Sequence, residues 1–254
     1  MKVLSLVNQK GGVAKTTTAM ALGDGLARRG KKVLLIDFDP QGNLTTSFGL
    51  RDDVNSPSAL RMLGLDGGAF EITQVANNLS IVTSEIGLER ANTLLASKVG
   101  RERYLSRALS KIKDMYDYVI IDSNPSLSII TINVLTASDY VLIPFKPEFN
   151  SFKGIDLLLE SIADVKEIRP QLEVLGYVVT MADKRRTSTK EAIEYIRQRS
   201  GGAKVFDTII RVAVAGADAP SHGMSVYAYA PKSTVAQDYE KLTDEILNEM
   251  EIKL

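Results

Sequence analysis

A chain of 254 residues, 44% of them hydrophobic, is long enough for one large domain or two small ones around a substantial core. Its 31 basic and 31 acidic side chains cancel, so net charge names no partner and only the placement of charge informs. The absence of cysteine excludes disulfides, thiolate metal sites and cysteine-ligated iron–sulfur clusters, and fits a reducing cytoplasm.

The first apolar run, residues 3–7, is too short for a signal peptide, and no later run approaches the length of a membrane span. A soluble protein is expected, and residues 3–7 read as a buried strand. Lys10-Gly11-Gly12-Val13-Ala14-Lys15-Thr16-Thr17 follows, and Ala19, Leu22 and Leu26 then fall on one helical face. Strand, glycine-rich loop and helix together make a phosphate cradle. Loop N–H groups point inward at the anion, and the helix adds its positive dipole end. Lys15 would reach the terminal phosphates and Thr16 would place its hydroxyl on Mg²⁺. The match to G-x-x-x-x-G-K-[ST] is imperfect, with Gln9 and Ala14 where glycines belong. An ordinary loop of this kind needs only Lys15, so Lys10 is surplus.

Residues 33–36 form a second buried strand ending in Asp37-Phe38-Asp39-Pro40-Gln41. Ligands of open parallel sheets sit beyond the carboxyl ends of strands, which would bring Asp37 and Asp39 toward the phosphate loop. Residues 52–84 are the least regular stretch. Tyr104, Leu105, Ala108, Leu109 and Ile112 make a helical face that carries a basic stripe, Arg103, Arg107 and Lys111. The strand at 118–121 ends in Asp122, placed to bind Mg²⁺ through water or to hold Thr16. Ser126 is a candidate cap for the helix after it. Residues 140–143 are a further strand. Lys146 and Lys153 follow, then a helix with Ile155, Leu158, Leu159, Ile162 and Val165 on one face. After a strand at 174–179 comes Thr180-Met181-Ala182-Asp183-Lys184-Arg185. The segment 184–204 holds seven basic residues, Lys184, Arg185, Arg186, Lys190, Arg197, Arg199 and Lys204, against Glu191 and Glu194. Such a patch suits sequence-independent contact with nucleic-acid phosphates. In the last segment, Val235, Tyr239, Leu242, Ile246 and Met250 form a core-like stripe. Continuous apolar strands alternating with amphipathic helices predict an α/β fold, a doubly wound, mostly parallel sheet flanked by helices, in a single domain over 1–254.

Lys-Gly-Gly-Val-x-Lys-Thr-Thr resembles the deviant Walker A motif of the ParA/MinD family of ATPases, a branch of the P-loop NTPase fold. The resemblance extends over nearly the whole chain. D-x-D-P-Q at 37–41 is similar to the family's switch, T-M-x-D-x-R at 180–185 and A-P-S-H-G at 219–223 to two loops of its partitioning branch. Members form an ATP-sandwich homodimer in which the first lysine reaches the partner's phosphates, so Lys10 implies that dimerisation precedes hydrolysis. The resemblance further implies that Asp39 positions or deprotonates the attacking water and that Asp37 helps organise Mg²⁺. It also implies that Met181 and Pro220 lie near the adenine. The only histidine, His222, reads as loop-stabilising rather than catalytic, and nothing near it supplies metal-ligand spacing.

Three positions depart from the family pattern. Ala14 stands for the usual glycine and adds a methyl group beside the phosphates. Asn124 replaces the first proline of D-x-P-P, removing one φ restraint. Ala215 stands where short partitioning ATPases often carry a DNA-binding arginine, with Arg211 displaced. Nothing resembling a helix-turn-helix precedes the phosphate loop, so sequence-specific operator binding is not expected. The implied function is a slow, Mg-dependent ATPase that binds nonspecific DNA in its ATP state, is stimulated by a ParB-like centromere-binding or cargo partner, and is cytoplasmic and nucleoid-associated. The alternative is a MinD-type membrane-associated ATPase. Against it, residues 235–254 carry six acids and two lysines, which anionic lipid would repel. A nitrogenase-reductase-like carrier would need cysteines. A metabolic ligase or synthetase on the same fold has no motif in its favour.

Overall fold

A computed structural model of the chain describes residues 1–148 and 152–252, the side chains of 152 and 153 excepted. Lys153 is therefore outside the described side chains. The strands are β1 (Lys2–Leu6), β2 (Val33–Phe38), β3 (Thr73–Ala76), β4 (Leu79–Val82), β5 (Tyr118–Ser123), β6 (Tyr140–Phe145), β7 (Glu173–Ala182), β8 (Lys204–Val205) and β9 (Ile210–Arg211). The helices are α1 (Lys15–Arg28), α2 (Asn43–Thr46), α3 (Ser58–Met62), α4 (Arg90–Ala96), α5 (Tyr104–Ser110), α6 (Ile129–Ala137), α7 (Phe152–Ile168), α8 (Thr187–Arg199), α9 (Val214–Ser221), α10 (Val226–Tyr229) and α11 (Thr234–Ile252).

Strand order is β3-β4-β2-β5-β1-β6-β7-β8, with β9 paired to β7. Every pairing is parallel except β3 with β4. The apolar runs are continuous because both faces are covered. Leu34, Ile36 and Phe38 of β2 face α3–α8, while Val33 and Leu35 face α1 and α9–α11. Each such side chain, fully buried, contributes about 1.5–3 kcal/mol relative to exposure. The expected helical faces are the buried ones. Ala19, Leu22 and Leu26 lie in one core layer, Leu105, Ala108, Leu109 and Ile112 in the other.

Two features differ from expectation. The irregular stretch 52–84 contains α3 and the β3–β4 hairpin, and β4 pairs with β2 in register Val33↔Leu79 to Ile36↔Val82. Four-residue strands give too little alternation to show in sequence. Ser126 does not cap α6. Ser128 occupies the N-cap, and the Ser126 hydroxyl instead accepts a hydrogen bond from the Asn124 side-chain amide at 2.7 Å. The Thr131 hydroxyl closes the turn by donating to Asn124 Oδ1 at 2.8 Å. Asn124 thus restrains by hydrogen bonds a loop that a proline ring would restrain covalently.

α11 places Val235, Tyr239, Leu242, Ile246 and Met250 in the core against α1. Its apolar stripe is internal. Among the described residues, no helix is long and apolar enough to cross a membrane.

Candidate active site

β1, β2 and β5 are adjacent and end together, with Leu6 opposite Asp122 and Asp122 opposite Asp37. The loop after β1 therefore turns over the two acids. A cavity of about 700 Å³ opens there, lined by Gly11, Gly12, Ala14, Lys15, Thr16 and Thr17 of the loop, by Asp39, and on its far wall by Pro125 and Pro220. Gly12 (φ 69°) and Ala14 (φ 61°) both hold the left-handed conformation that turns the chain into α1. Buried polar groups brace the loop from behind. Asn8 donates from its amide to Pro144 O at 2.7 Å and accepts the Lys10 N–H at 2.9 Å. The Thr180 hydroxyl lies 3.0 Å from Val13 O and 3.1 Å from Phe145 O, tying the loop to the ends of β6 and β7.

Lys15 is 8% exposed. Its ammonium donates to Asn8 O at 3.1 Å and Lys10 O at 3.4 Å. Burial pushes its pKa down, against the charges of Asp122 and Asp39, which favour the ammonium. A cation held by carbonyls and half-stripped of water is poised to bind phosphate oxygens.

Asp122 is fully buried, and its Oδ2 accepts the Thr16 hydroxyl at 2.6 Å. Its Oδ1 has no hydrogen-bond partner among the described residues. Burial first, and then the charge of Asp37, push the carboxyl up to about 8. An orphaned, electrostatically frustrated carboxylate beside a threonine hydroxyl fits a hydrated Mg²⁺. Among the described residues no group of three or more acids and histidines could hold a metal alone. Thr16 and nucleotide phosphates would bind Mg²⁺ directly, with Asp122 behind them. The ion would neutralise phosphate charge.

Asp37 is likewise buried, which raises it to about 7 even though Thr45 and the Asp39 N–H donate to it. Its Oδ2 takes the N–H and hydroxyl of Thr45, each at 2.8 Å, and its Oδ1 takes the Asp39 N–H at 3.2 Å. Asp39 lines the cavity itself.

Lys10 lies at the rim and is not among the residues lining this cavity. Its ammonium pairs with Glu148 Oε2 at 2.6 Å, while Lys146 pairs with the other oxygen at 2.6 Å. The two lysines hold the Glu148 carboxyl down at about 2.

Met181 (φ 53°) lines a separate cleft of about 930 Å³ together with Lys146, Glu148, Lys184, Arg185, Arg186 and Arg211. The structure thus brings Pro220 into the phosphate cavity and Met181 into its neighbour. His222 Nδ1 lies 2.9 Å from Asp218 O, and its ring stacks on Tyr229 at 4.8 Å, a local loop contact. Lys184, Arg185, Arg186, Lys190, Arg197 and Arg199 are all exposed on α8 and the turn before it. Arg185 pairs with Asp183 at 2.8 Å, and Arg199 covers the Tyr195 ring. Arg211 is committed elsewhere, with its guanidinium making two bonds to the buried carboxylate of Asp238 on α11, at 2.7 and 2.8 Å.

Sequence reading missed Asn8, Thr45, Glu148 and Thr180. Thr180 stood inside a recognised motif and Asn8 beside the loop, so position alone pointed to them. Glu148 lies 138 residues from Lys10, and no local signal links the two.

A family model described as an AAA domain matches residues 1–174. The chain is 40% identical over 249 residues to the chromosome-partitioning ATPase Soj of Treponema pallidum, covering 97% of both chains. It is 38% identical over 248 residues to the sporulation initiation inhibitor protein Soj of Bacillus subtilis, covering 96% of this chain and 98% of that one. Among solved structures, that of cobyrinic acid a,c-diamide synthase from Mycobacterium smegmatis with bound ADP and magnesium superposes with a TM-score of 0.85 at 32% identity, over 99% of this chain and 96% of that one. Loop, acids, topology and full-length similarity agree: the chain belongs to the ParA/Soj family of deviant Walker A ATPases.

Proposed function

We propose that this chain is a DNA-partitioning ATPase working as one domain over 1–254. Two subunits close around two ATP molecules, the dimer holds nonspecific DNA, and Mg-dependent hydrolysis releases it. The observation that supports this most is the position of Lys10. Its ammonium is held by Glu148 at 2.6 Å and does not line its own subunit's phosphate cavity, which fits a lysine that serves a partner's nucleotide. Transfer of the phosphoryl group to water asks for charge neutralisation and alignment rather than covalent chemistry. Lys15 and the partner's signature lysine supply the first. Asp39 aligns the water. Thr16 and Asp122 hold the metal, with Asp37 behind, and Met181 and Pro220 contact the base. The exposed cations of Lys184, Arg185, Arg186, Lys190, Arg197 and Arg199 contact DNA phosphates. A ParB-like centromere-binding protein or cargo adaptor stimulates turnover, and the assembly works on the nucleoid in the cytoplasm. The membrane alternative is disfavoured by α11, whose apolar face is already inside the core.

Retention on nonspecific DNA with ATP, ADP or no nucleotide, at two salt concentrations, tests this reading. Binding should require ATP and weaken with salt. Lys10→Ala should abolish it, Asp39→Ala should keep it while losing hydrolysis, and Arg185→Ala should weaken it. Binding only to liposomes would sink the proposal. Hydrolysis by a monomer indifferent to DNA would favour a small-molecule synthase instead.

A further inference from the structure

The loop that carries Asp39 is held from one side by a chain of buried hydrogen bonds. Thr45 donates its N–H and hydroxyl to Asp37 Oδ2, both at 2.8 Å, and Asp37 Oδ1 accepts the Asp39 N–H at 3.2 Å. Both oxygens of Asp37 are thus turned to the loop. The Thr45 hydroxyl in turn accepts the Ser84 N–H at 2.9 Å. Thr45, Asp37 and Ser84 are each fully buried, so none of these bonds competes with water. Close packing reinforces them. Gly42 stands in the same loop at φ 62°, and a Cβ there would lie 2.9 Å from Ser84 O. Its N–H closes a turn onto Asp39 O at 2.9 Å. Ser84 is itself fixed, because Thr83 beside it donates to Asp52 at 2.6 Å and accepts the Ala59 N–H at 3.0 Å.

We infer that Thr45 is a positioning residue for hydrolysis: through Asp37 it sets the loop that carries Asp39, and it takes its own place from Ser84, two residues past the end of β4. The stretch 52–84, irregular in sequence, is then the abutment of the hydrolytic loop. The inference rests on the reading that Asp39 aligns the attacking water. A water misplaced by a fraction of an ångström loses much of the benefit of alignment, whereas the loop after β1, which carries Lys15 and Thr16, keeps its place when the Asp39 loop shifts, so ATP affinity should change far less than the rate.

The test compares Thr45→Val, Thr45→Ser, Gly42→Ala and Asp39→Ala in the full chain, reading Mg·ATP affinity, ATP-dependent dimerisation and single-turnover hydrolysis. Valine keeps the shape and removes the hydroxyl, so hydrolysis should slow about tenfold while Mg·ATP affinity stays within about threefold. Serine should restore the rate to within about threefold of wild type. If Thr45→Val does not fold, Gly42→Ala carries the test, because its methyl displaces the loop from Ser84 without removing a polar group. It too should slow hydrolysis and spare affinity. Wild-type hydrolysis by the folded variants, a serine variant as slow as valine, or a loss lying wholly in Mg·ATP affinity would each overturn the inference. Asp39→Ala separates the layers. If it still hydrolyses, the reading of Asp39 fails. If it is inactive while Thr45→Val is normal, only the role of Thr45 fails.

Discussion

Ala14 holds a left-handed backbone at φ 61°, ψ 32°, where a Cβ crowds the following carbonyl. That conformation costs a residue with a side chain about 1–2 kcal/mol. Replacing Ala14 with glycine removes the cost but returns about 0.5–1 kcal/mol through the greater freedom of glycine in the unfolded chain. No side-chain cap is lost, since Ala14 precedes α1 without one, and its carbonyl still accepts the Thr18 N–H. Ala14→Gly should therefore stabilise the nucleotide-free protein by about 0.5–1 kcal/mol. In a chain of this length that is a rise of about 1–4 °C in Tm. Gly12→Ala is the converse. Gly12 is at φ 69° with open space around the position of a Cβ, so the penalty there is purely conformational. A loop that keeps this conformation on binding nucleotide carries the same strain in both states, so Mg·ATP affinity should move by less than about threefold. Chemical denaturation and nucleotide titration decide the matter. A destabilised Ala14→Gly, or a tenfold change in affinity at unchanged stability, would show that the loop is not held in this conformation and would refute the reasoning.

Three further outcomes are expected. Asp122 is raised from 3.8 to about 8, so between those values the folded chain holds a proton that the unfolded chain has lost; nucleotide-free stability must fall as pH rises through this window. Asp122→Asn should flatten that decline in denaturant midpoints without Mg²⁺, and an unchanged slope would contradict it. Glu148→Gln weakens an exposed pairing of Lys10; on the proposal that Lys10 acts across the dimer, ATP-driven dimerisation followed by light scattering should tighten about two- to fivefold, weakening being the contrary result. Arg211→Ala removes both guanidinium bonds to the buried carboxylate of Asp238, leaving it the backbone N–H of residue 211, and should cost about 1–3 kcal/mol in chemical denaturation. DNA retention should be unchanged in that variant, because the guanidinium is already committed to Asp238.

Much of the site is local and so can be read along the chain. The phosphate loop needs glycine, lysine and threonine in one short turn, and Lys15, Thr16, Asp39 and Pro220 do meet in one cavity. The acids at the ends of β2 and β5 were legible because an apolar run that stops abruptly at a carboxylate marks where a buried strand emerges. Ala14 could be seen as a departure. That it is left-handed, and hence a question of stability more than of crowding, took coordinates. Asn124 likewise read as a lost restraint, and the hydrogen bonds of its side chain supply another. Met181 stood in a motif, yet the end of β7 delivers it to the cleft beside the phosphate cavity.

Apolar periodicity and short motifs specify the covered parallel sheet, the cradle at its centre and the chemistry of its phosphate-binding groups, because each depends on residues within a turn or two of one another. Which groups hold those residues in place is another matter. Lys10 with Glu148, Thr45 with Ser84 and Val13 with Thr180 are paired across 138, 39 and 167 residues. Such contacts arise only when strand order brings distant chain ends together, and neither composition nor spacing encodes that order.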